Sequence, residues 1–218
     1  MKLRDLEGRH AGKEGYCVSC GPSAGALSPQ QHAQLSRGRV VVAVKQAIKL
    51  VPHANFHLYN MSHAEKWNYQ GHRPTTMSLR LTPHKHIPAD IETTMRLANY
   101  TRDKWLVRTQ DWDKWTFDKT EERAWGPGIM LELGIYLFVH LGLTTVYVSG
   151  WDCTRSYNQV MPHFYGQHPK AQVVDQEEID ALIEGSRGMY QWMLSRGCQL
   201  VLVSNQSELW PGIPRTTI

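Results

Sequence analysis

The stretch GIMLELGIYLFVHLGLTTVYVS, residues 128–149, decides how this chain folds. Between Ile129 and His140 apolar side chains fill nearly the whole circumference of a helical wheel, which predicts a helix buried all round. Gly142 ends it, since glycine readily takes the left-handed conformation that closes a helix. The β-branched run Thr145 to Ser149 then reads as a strand. A buried helix feeding a buried strand is one αβ unit, and the rest of the chain supplies its neighbours. Tyr16 to Ser19 reads as a short buried strand. Val40-Val41-Val42-Ala43-Val44 is continuous rather than alternating, as in strands covered on both faces. Asn55 to Tyr59 and Met77 to Leu81 fit further strands. A last helix is predicted to open at Asp175 with Glu178 in capping-box position, placing Ile179, Leu182, Ile183, Tyr190, Met193 and Leu194 on one face. Gly197 stops it before a closing strand, Leu200 to Val203. Strands alternating with helices predict an α/β fold: one Rossmann-like domain over residues 1–218, its sheet mostly parallel with helices on both faces, and its ligand site beyond the carboxyl ends of the strands. From Pro83 to Ala124 the pattern loosens, which predicts an irregular, lid-like insertion near residues 83–125.

Composition narrows the function classes. With 218 residues, 41% apolar and 20% charged, the chain can bury a sizeable core and is not of the disordered class. A net charge of +4 is too weak for a dedicated nucleic-acid binder and suits a small anionic ligand better. Four scattered cysteines argue for free thiols and a reducing, cytoplasmic compartment. Residues 1–15 are charged and lack the apolar core of a signal peptide. The best apolar run, Ile129 to Leu143, is broken by Glu132 and His140, so no transmembrane segment is expected. No heptad or apolar stripe marks a self-association surface, which leaves a homo-oligomer open.

Several motifs carry chemistry. Ser19-Cys20-Gly21-Pro22-Ser23 follows the first strand, where its amides and the Ser23 hydroxyl can hold a phosphate. Such turns also serve as plain connections, and with neither a following Lys nor a full GxGxxG this one is not a Walker loop or a dinucleotide fingerprint. Cys17 and Cys20 form a CxxC, but no second pair completes a zinc set, and Cys17 lies inside the apolar run as a core residue. Asp111-Trp112-Asp113 is a DxD, a pattern that brings carboxylates to a divalent cation, yet Lys104, Lys114 and Lys119 beside it also fit a solvated face. Among eleven histidines, the pairs His84 and His86, or His53 and His57, invite a metal reading, while most fit surface roles. His163, in Pro162-His163-Phe164-Tyr165-Gly166, sits in an aromatic, turn-like segment where an imidazole with an ordinary pKa of about 6.5 can take a proton.

Taken in order, these segments resemble the bacterial CMP-sialic acid-dependent sialyltransferases, a metal-independent family with one modified Rossmann-like domain of GT-A-like type and a small lid. Gly21-Pro22-Ser23 matches the family's loop after strand one, and Tyr59-Asn60 its strand ending in Tyr-Asn. Gly128 to Leu141 followed by Ser149-Gly150-Trp151-Asp152 is similar to its buried helix and Ser-Gly-x-Asp strand end. His163-Phe164-Tyr165-Gly166 is similar to the segment carrying its catalytic base, and Asn205-Gln206-Ser207 to its closing Asn-x-Ser. The likeness spans roughly residues 16 to 210, and a related family of pterin diphosphokinases and motility accessory factors shares several of these motifs. Cys20 stands where the family has Asn, Lys45-Gln46 where it has Asn-Gln, and Cys153 and Thr154 where it places tyrosines. The resemblance implies an inverting glycosyltransferase that takes a sialic or related acidic sugar from a CMP-activated donor to a glycan hydroxyl. His163 would be the base, with Tyr157 and Tyr165 steadying the leaving phosphate. Cys20, Gly21, Pro22, Ser23, Lys45, Gln46, Asn60, Gly128, Gly150 and Asp152 would line the donor pocket. Trp105, Trp112, Trp115 and Trp125 fall in the lid, where they would stack on a sugar or simply pack together. No cofactor is implied. Mg²⁺ or Mn²⁺ enters only under the alternative, a phosphotransferase of the pterin diphosphokinase type supported by Asp152 and the DxD. A non-catalytic nucleotide- or glycan-binding module is the third reading.

Overall fold

A computed structural model describes residues 3–60, 75–82, 90–96, 129–154, 164–165 and 176–218. Its centre is a seven-stranded sheet built from β1 (Glu14–Val18), β2 (Val40–Val44), β3 (Phe56–Asn60), β4 (Thr75–Thr82), β5 (Ile91–Arg96), β6 (Thr145–Ser149) and β7 (Gln199–Leu202). The order is β5-β4-β3-β2-β1-β6-β7, and every strand pair is parallel. After β1 the chain proceeds outward to β5 on one side, then returns to place β6 on the other side of β1. The strand order therefore reverses between β1 and β6, where an open parallel sheet leaves a crevice beyond its carboxyl ends. The architecture is a Rossmann-like α/β fold.

Both faces of the sheet are covered, and the strands show it residue by residue. Val40, Val42 and Val44 join one buried cluster with Cys17, Val146 and Val148, whereas Val41 and Ala43 join another with Tyr16 and Val18. This is the period-two alternation of a strand with apolar side chains on each side. The first cluster is closed by α3 (Ile135–His140), by the π-helical turn Met130–Gly134 that leads into it, and by α4 (Gln176–Ser195). The second is closed by α2 (Pro29–Ser36), the single turn α1 (Pro22–Gly25) and the 3₁₀ turn Lys45–Lys49.

The long buried helix ends as expected, with Gly142 at φ +75° in the left-handed conformation that few other residues adopt cheaply. Two elements and one side chain depart from the pattern. The irregular stretch contains β5, docked on β4 with Asp90 accepting from the Thr76 amide at 2.7 Å. The remainder of residues 83–125, including the four lid tryptophans and the DxD, lies outside the described residues. Helix α2 begins with a full capping box in which Ser28 and Gln31 exchange hydrogen bonds and Pro29 takes the first turn. Leu194, placed on the buried face of α4 by periodicity, is 46% exposed in its last turn, and Met189 and Trp192 fill the interior instead. All four cysteines are buried free thiols. Among the described residues no helix is long and apolar enough to cross a membrane.

Candidate functional site

Three segments far apart in sequence meet at the reversal point: the loop after β1, the turn after β6 and the pair Phe164-Tyr165. The loop and turn are interlocked by backbone. Ser19 N–H donates to Ser149 O at 2.8 Å and Gly21 N–H to Gly150 O at 2.7 Å. Gly150 N–H donates in return to Ser23 Oγ at 3.0 Å. Asp152 Oδ2 accepts from Ser23 N–H at 2.8 Å, capping the start of α1 with a carboxylate. Glycines permit this closeness. A Cβ on Gly21 would run into the Asp152 carboxylate, and one on Gly150, itself at φ +74°, would meet Ser19 O and Ala24.

Three of the amides offered to a phosphate by the loop motif, those of Ser19, Gly21 and Ser23, are thus spent on the fold. Ser19, Gly21, Ser23 and Gly150 each have an internal acceptor, and the Ser23 hydroxyl serves as one of those acceptors. Asp152 is buried, and its second oxygen, Oδ1, has no hydrogen-bond partner among the described residues. A buried carboxylate oxygen left without a donor is costly, and such an atom beside a crevice marks where a ligand N–H or O–H belongs.

Lys45 begins the turn after β2 at φ +49°, one of only two non-glycine residues with positive φ among those described. The other is Cys153, at φ +35° directly after Asp152. Both follow a strand that neighbours β1, so the backbone strain is concentrated around the crevice, as it often is at functional sites. His57 holds the Lys45 conformation by donating Nε2–H to Lys45 O at 2.8 Å. That bond commits His57 to a fold contact and sets it apart from the exposed His53, its supposed metal partner. Burial pushes the Lys45 ammonium below its ordinary value, partly offset by the neighbouring Cys20 thiol. Burial likewise raises the Cys20 thiol, which stays protonated and donates to Val44 O at 3.2 Å. Gln46 is buried beside it, with Oε1 3.7 Å from Cys20 Sγ. Cys17 points away into the core, its Sγ 3.8 Å from Met130 Sδ, so the two thiols of the CxxC face different clusters.

Phe164 N–H donates to Cys20 O at 3.0 Å, and its side chain lies where a Cβ on Gly25 would collide with it. Tyr165 packs edge-on against Phe164 at 5.2 Å and is half-buried on the same cluster. The aromatic segment is therefore tied to the glycine loop. His163, Tyr157 and Gly128 lie outside the described residues, as do His84 and His86, and Asn60 is described only as the backbone end of β3. At the closing motif Asn205 and Gln206 are exposed while Ser207 is buried, accepting from Leu209 N–H at 3.4 Å.

Sequence reasoning read Tyr16 and Ser149 only as strand residues and passed over His32, yet the three form a buried chain directly behind the crevice. Only the polar Ser149 closing an apolar strand hinted at it. Comparison of the chain with protein-family models, curated proteins and solved structures finds no match.

Proposed function

We propose that this chain is a glycosyltransferase that binds a CMP-activated acidic sugar in the crevice between β1 and β6 and passes the sugar to a glycan hydroxyl. The observation that carries the reading is the meeting of the Gly21 loop, the Gly150-Trp151-Asp152 turn and Phe164-Tyr165 at the sheet's reversal point. These are the segments on which the resemblance to sialyltransferases rests. In this reading His163, one residue before the tethered Phe164, takes the proton from the acceptor hydroxyl as that oxygen attacks the anomeric carbon. The bond from that carbon to the CMP phosphate breaks, and the phosphate leaves with the electron pair, inverting the centre. Lys45 supplies positive charge near the departing phosphate, together with the Tyr165 and Tyr157 phenols where the family carries tyrosines. Asp152 Oδ1 accepts from a hydroxyl or amino group of the nucleoside. The basic excess of +4 suits an anionic donor.

A second reading, a Mg²⁺-dependent phosphotransferase, draws on the same unpartnered Asp152 oxygen, because a carboxylate beside a nucleotide is also a cation ligand. A thermal-shift panel of CMP, CDP, UDP, GDP and ATP, each with Mg²⁺ and with EDTA, separates the two. A ligand at a hundred times its Kd stabilises the native state by about 2.7 kcal/mol, or roughly 5–10 °C for a chain of this size. CMP raising the melting temperature equally in Mg²⁺ and EDTA supports the transferase. A shift confined to ATP with Mg²⁺ replaces it with the phosphotransferase, and no shift with any of the five rejects both. Binding of CMP without turnover of a CMP-sugar leaves the non-catalytic module.

A further inference from the structure

Behind the crevice runs a chain of buried hydrogen bonds whose direction is fixed by one carbonyl. His32 on α2 is 2% exposed, and its Nε2 lies 3.0 Å from Ala24 O. A carbonyl only accepts, so Nε2 carries the proton and Nδ1 of the neutral ring is an acceptor. Tyr16 OH, 2.8 Å from Nδ1, must then donate to it, which leaves the phenol oxygen to accept from Ser149 Oγ–H at 2.9 Å. Tyr16 and Ser149 have no exposed surface. The two ends of this chain are the two walls of the crevice: Ala24 follows Ser23, which holds the Gly150 amide, and Ser149 precedes Gly150 itself.

We propose that His32 is a positioning residue that fixes both walls only while its ring is neutral, and that its protonation reverses the hydrogen-bond chain and loosens the Gly21 and Gly150 turns. On protonation Nδ1–H becomes a donor to the Tyr16 oxygen. The Tyr16 hydroxyl proton then turns to Ser149 Oγ, and the Ser149 proton is left without an acceptor among the described residues. A desolvated cation and an orphaned buried donor are created together. Burial accordingly pushes the His32 pKa below 6.5, aided by His53 and opposed by the Ala24 carbonyl. The titratable described groups facing the ring are Tyr16 from β1 and His53 from the turn before β3. An unfolded chain takes this proton near pH 6.5 and the native one only at lower pH. The stabilisation is therefore complete above 6.5 and is lost as pH falls from there through the native titration.

The test uses the whole wild-type chain without ligand, so its outcome is separate from that of the proposed function. Long-range ¹⁵N–¹H spectra of the histidine rings across roughly pH 5 to 8 give the His32 tautomer and its titration. Hydrogen exchange at the Gly21, Ser23 and Gly150 amides, corrected for intrinsic rates, reads the walls over the same range. Expected are a neutral ring with its proton on Nε2 and a loss of protection of about ten-fold at those three amides as His32 titrates. The Tyr147 amide, in the middle of β6, serves as the unmoved reference. His10 is also lowered by burial and by its neighbours Lys13 and Arg9, but its amide donates to Leu141 O, and no hydrogen bond among the described residues joins it to Tyr16, His32 or Ser149. His32→Gln keeps an N–H for Ala24 O and does not titrate, so it should flatten the pH dependence at the three amides. A proton on Nδ1, a His32 titration that leaves these amides unmoved, or an unchanged pH dependence in His32→Gln overturns the proposal.

Discussion

Replacing Gly21 with alanine puts a methyl group where the loop after β1 touches the turn after β6. Gly21 has φ −68° and ψ 164°, which any residue can adopt, so glycine is needed there for space and not for conformation. The added Cβ would overlap the Asp152 carboxylate and stand 2.5 Å from Gly150 O, a backbone atom that cannot swing aside. Relief requires the two turns to part, which threatens the Gly21 to Gly150 bond at 2.7 Å and the Ser23 to Asp152 bond at 2.8 Å. Overpacking costs about 1–3 kcal/mol and losing a hydrogen bond to a carboxylate about 1.5–3, giving a total of about 2.5–6 kcal/mol. At about 2–4 °C per kcal/mol the melting temperature should fall by roughly 5–24 °C. Gly38→Ala is the matched control. Gly38 lies at φ +74° with nothing within 4 Å of where a methyl would stand, so alanine there meets only the left-handed backbone penalty of about 1–2 kcal/mol. Calorimetric melts of both variants and the wild type at one pH decide the matter. Gly21→Ala melting within about 2 °C of wild type, or above Gly38→Ala, would refute the interlocked-turn geometry.

Asp152 should separate into two roles. Asp152→Asn keeps an oxygen for the Ser23 amide and should hold stability within about 1 kcal/mol, whereas Asp152→Ala removes the acceptor of that amide and should lose about 1.5–3 kcal/mol. Isothermal titration with CMP should show both variants weakened about ten-fold or more through the lost Oδ1 acceptor. Lys45→Gly removes a strained residue and a desolvated ammonium together. Its chemical denaturation midpoint should stay at or slightly above wild type, while CMP affinity falls about ten-fold or more, and unchanged affinity removes Lys45 from the site. His163→Ala should reduce kcat of sugar transfer by at least about 10²-fold with CMP binding retained, and retention of more than about a tenth of kcat rejects it as the base.

The parts of the fold that were legible are those written in side-chain burial or in a glycine's backbone freedom. Val40 to Val44 is buried at every position, and a strand covered on both faces has no other signature than an unbroken apolar run. Gly142 marked the helix end because a positive φ excludes most alternatives. By contrast β5, Ile-Glu-Thr-Thr-Met-Arg, carries too little apolar pattern to be told from its surroundings, and its existence depends on pairing with β4. Helix α2 was hidden behind Pro29, although Ser28-Pro29-Gln30-Gln31 carries the capping-box spacing that identifies it. At the site, motif order placed Gly21, Gly150 and Asp152 in one neighbourhood, but not what each atom does there. That the Gly21 and Ser23 amides would be consumed by Gly150 and Asp152 follows from contacts between residues 129 apart, for Ser23 and Asp152, which spacing cannot express. The Tyr16, His32 and Ser149 chain is unreadable for the same reason, since Tyr16 and Ser149 are 133 residues apart.

If the crevice between β1 and β6 binds a nucleotide, amide shift mapping with CMP will locate it there. Titrating CMP into ¹⁵N-labelled wild-type chain should move the amides of Gly21, Ser23, Lys45, Gly150 and Asp152 together, with one shared affinity, while the amides of β7 and the last turn of α4 stay put. Saturable binding whose shifts avoid those five residues, or no shift anywhere up to millimolar CMP, would contradict the proposed nucleotide site.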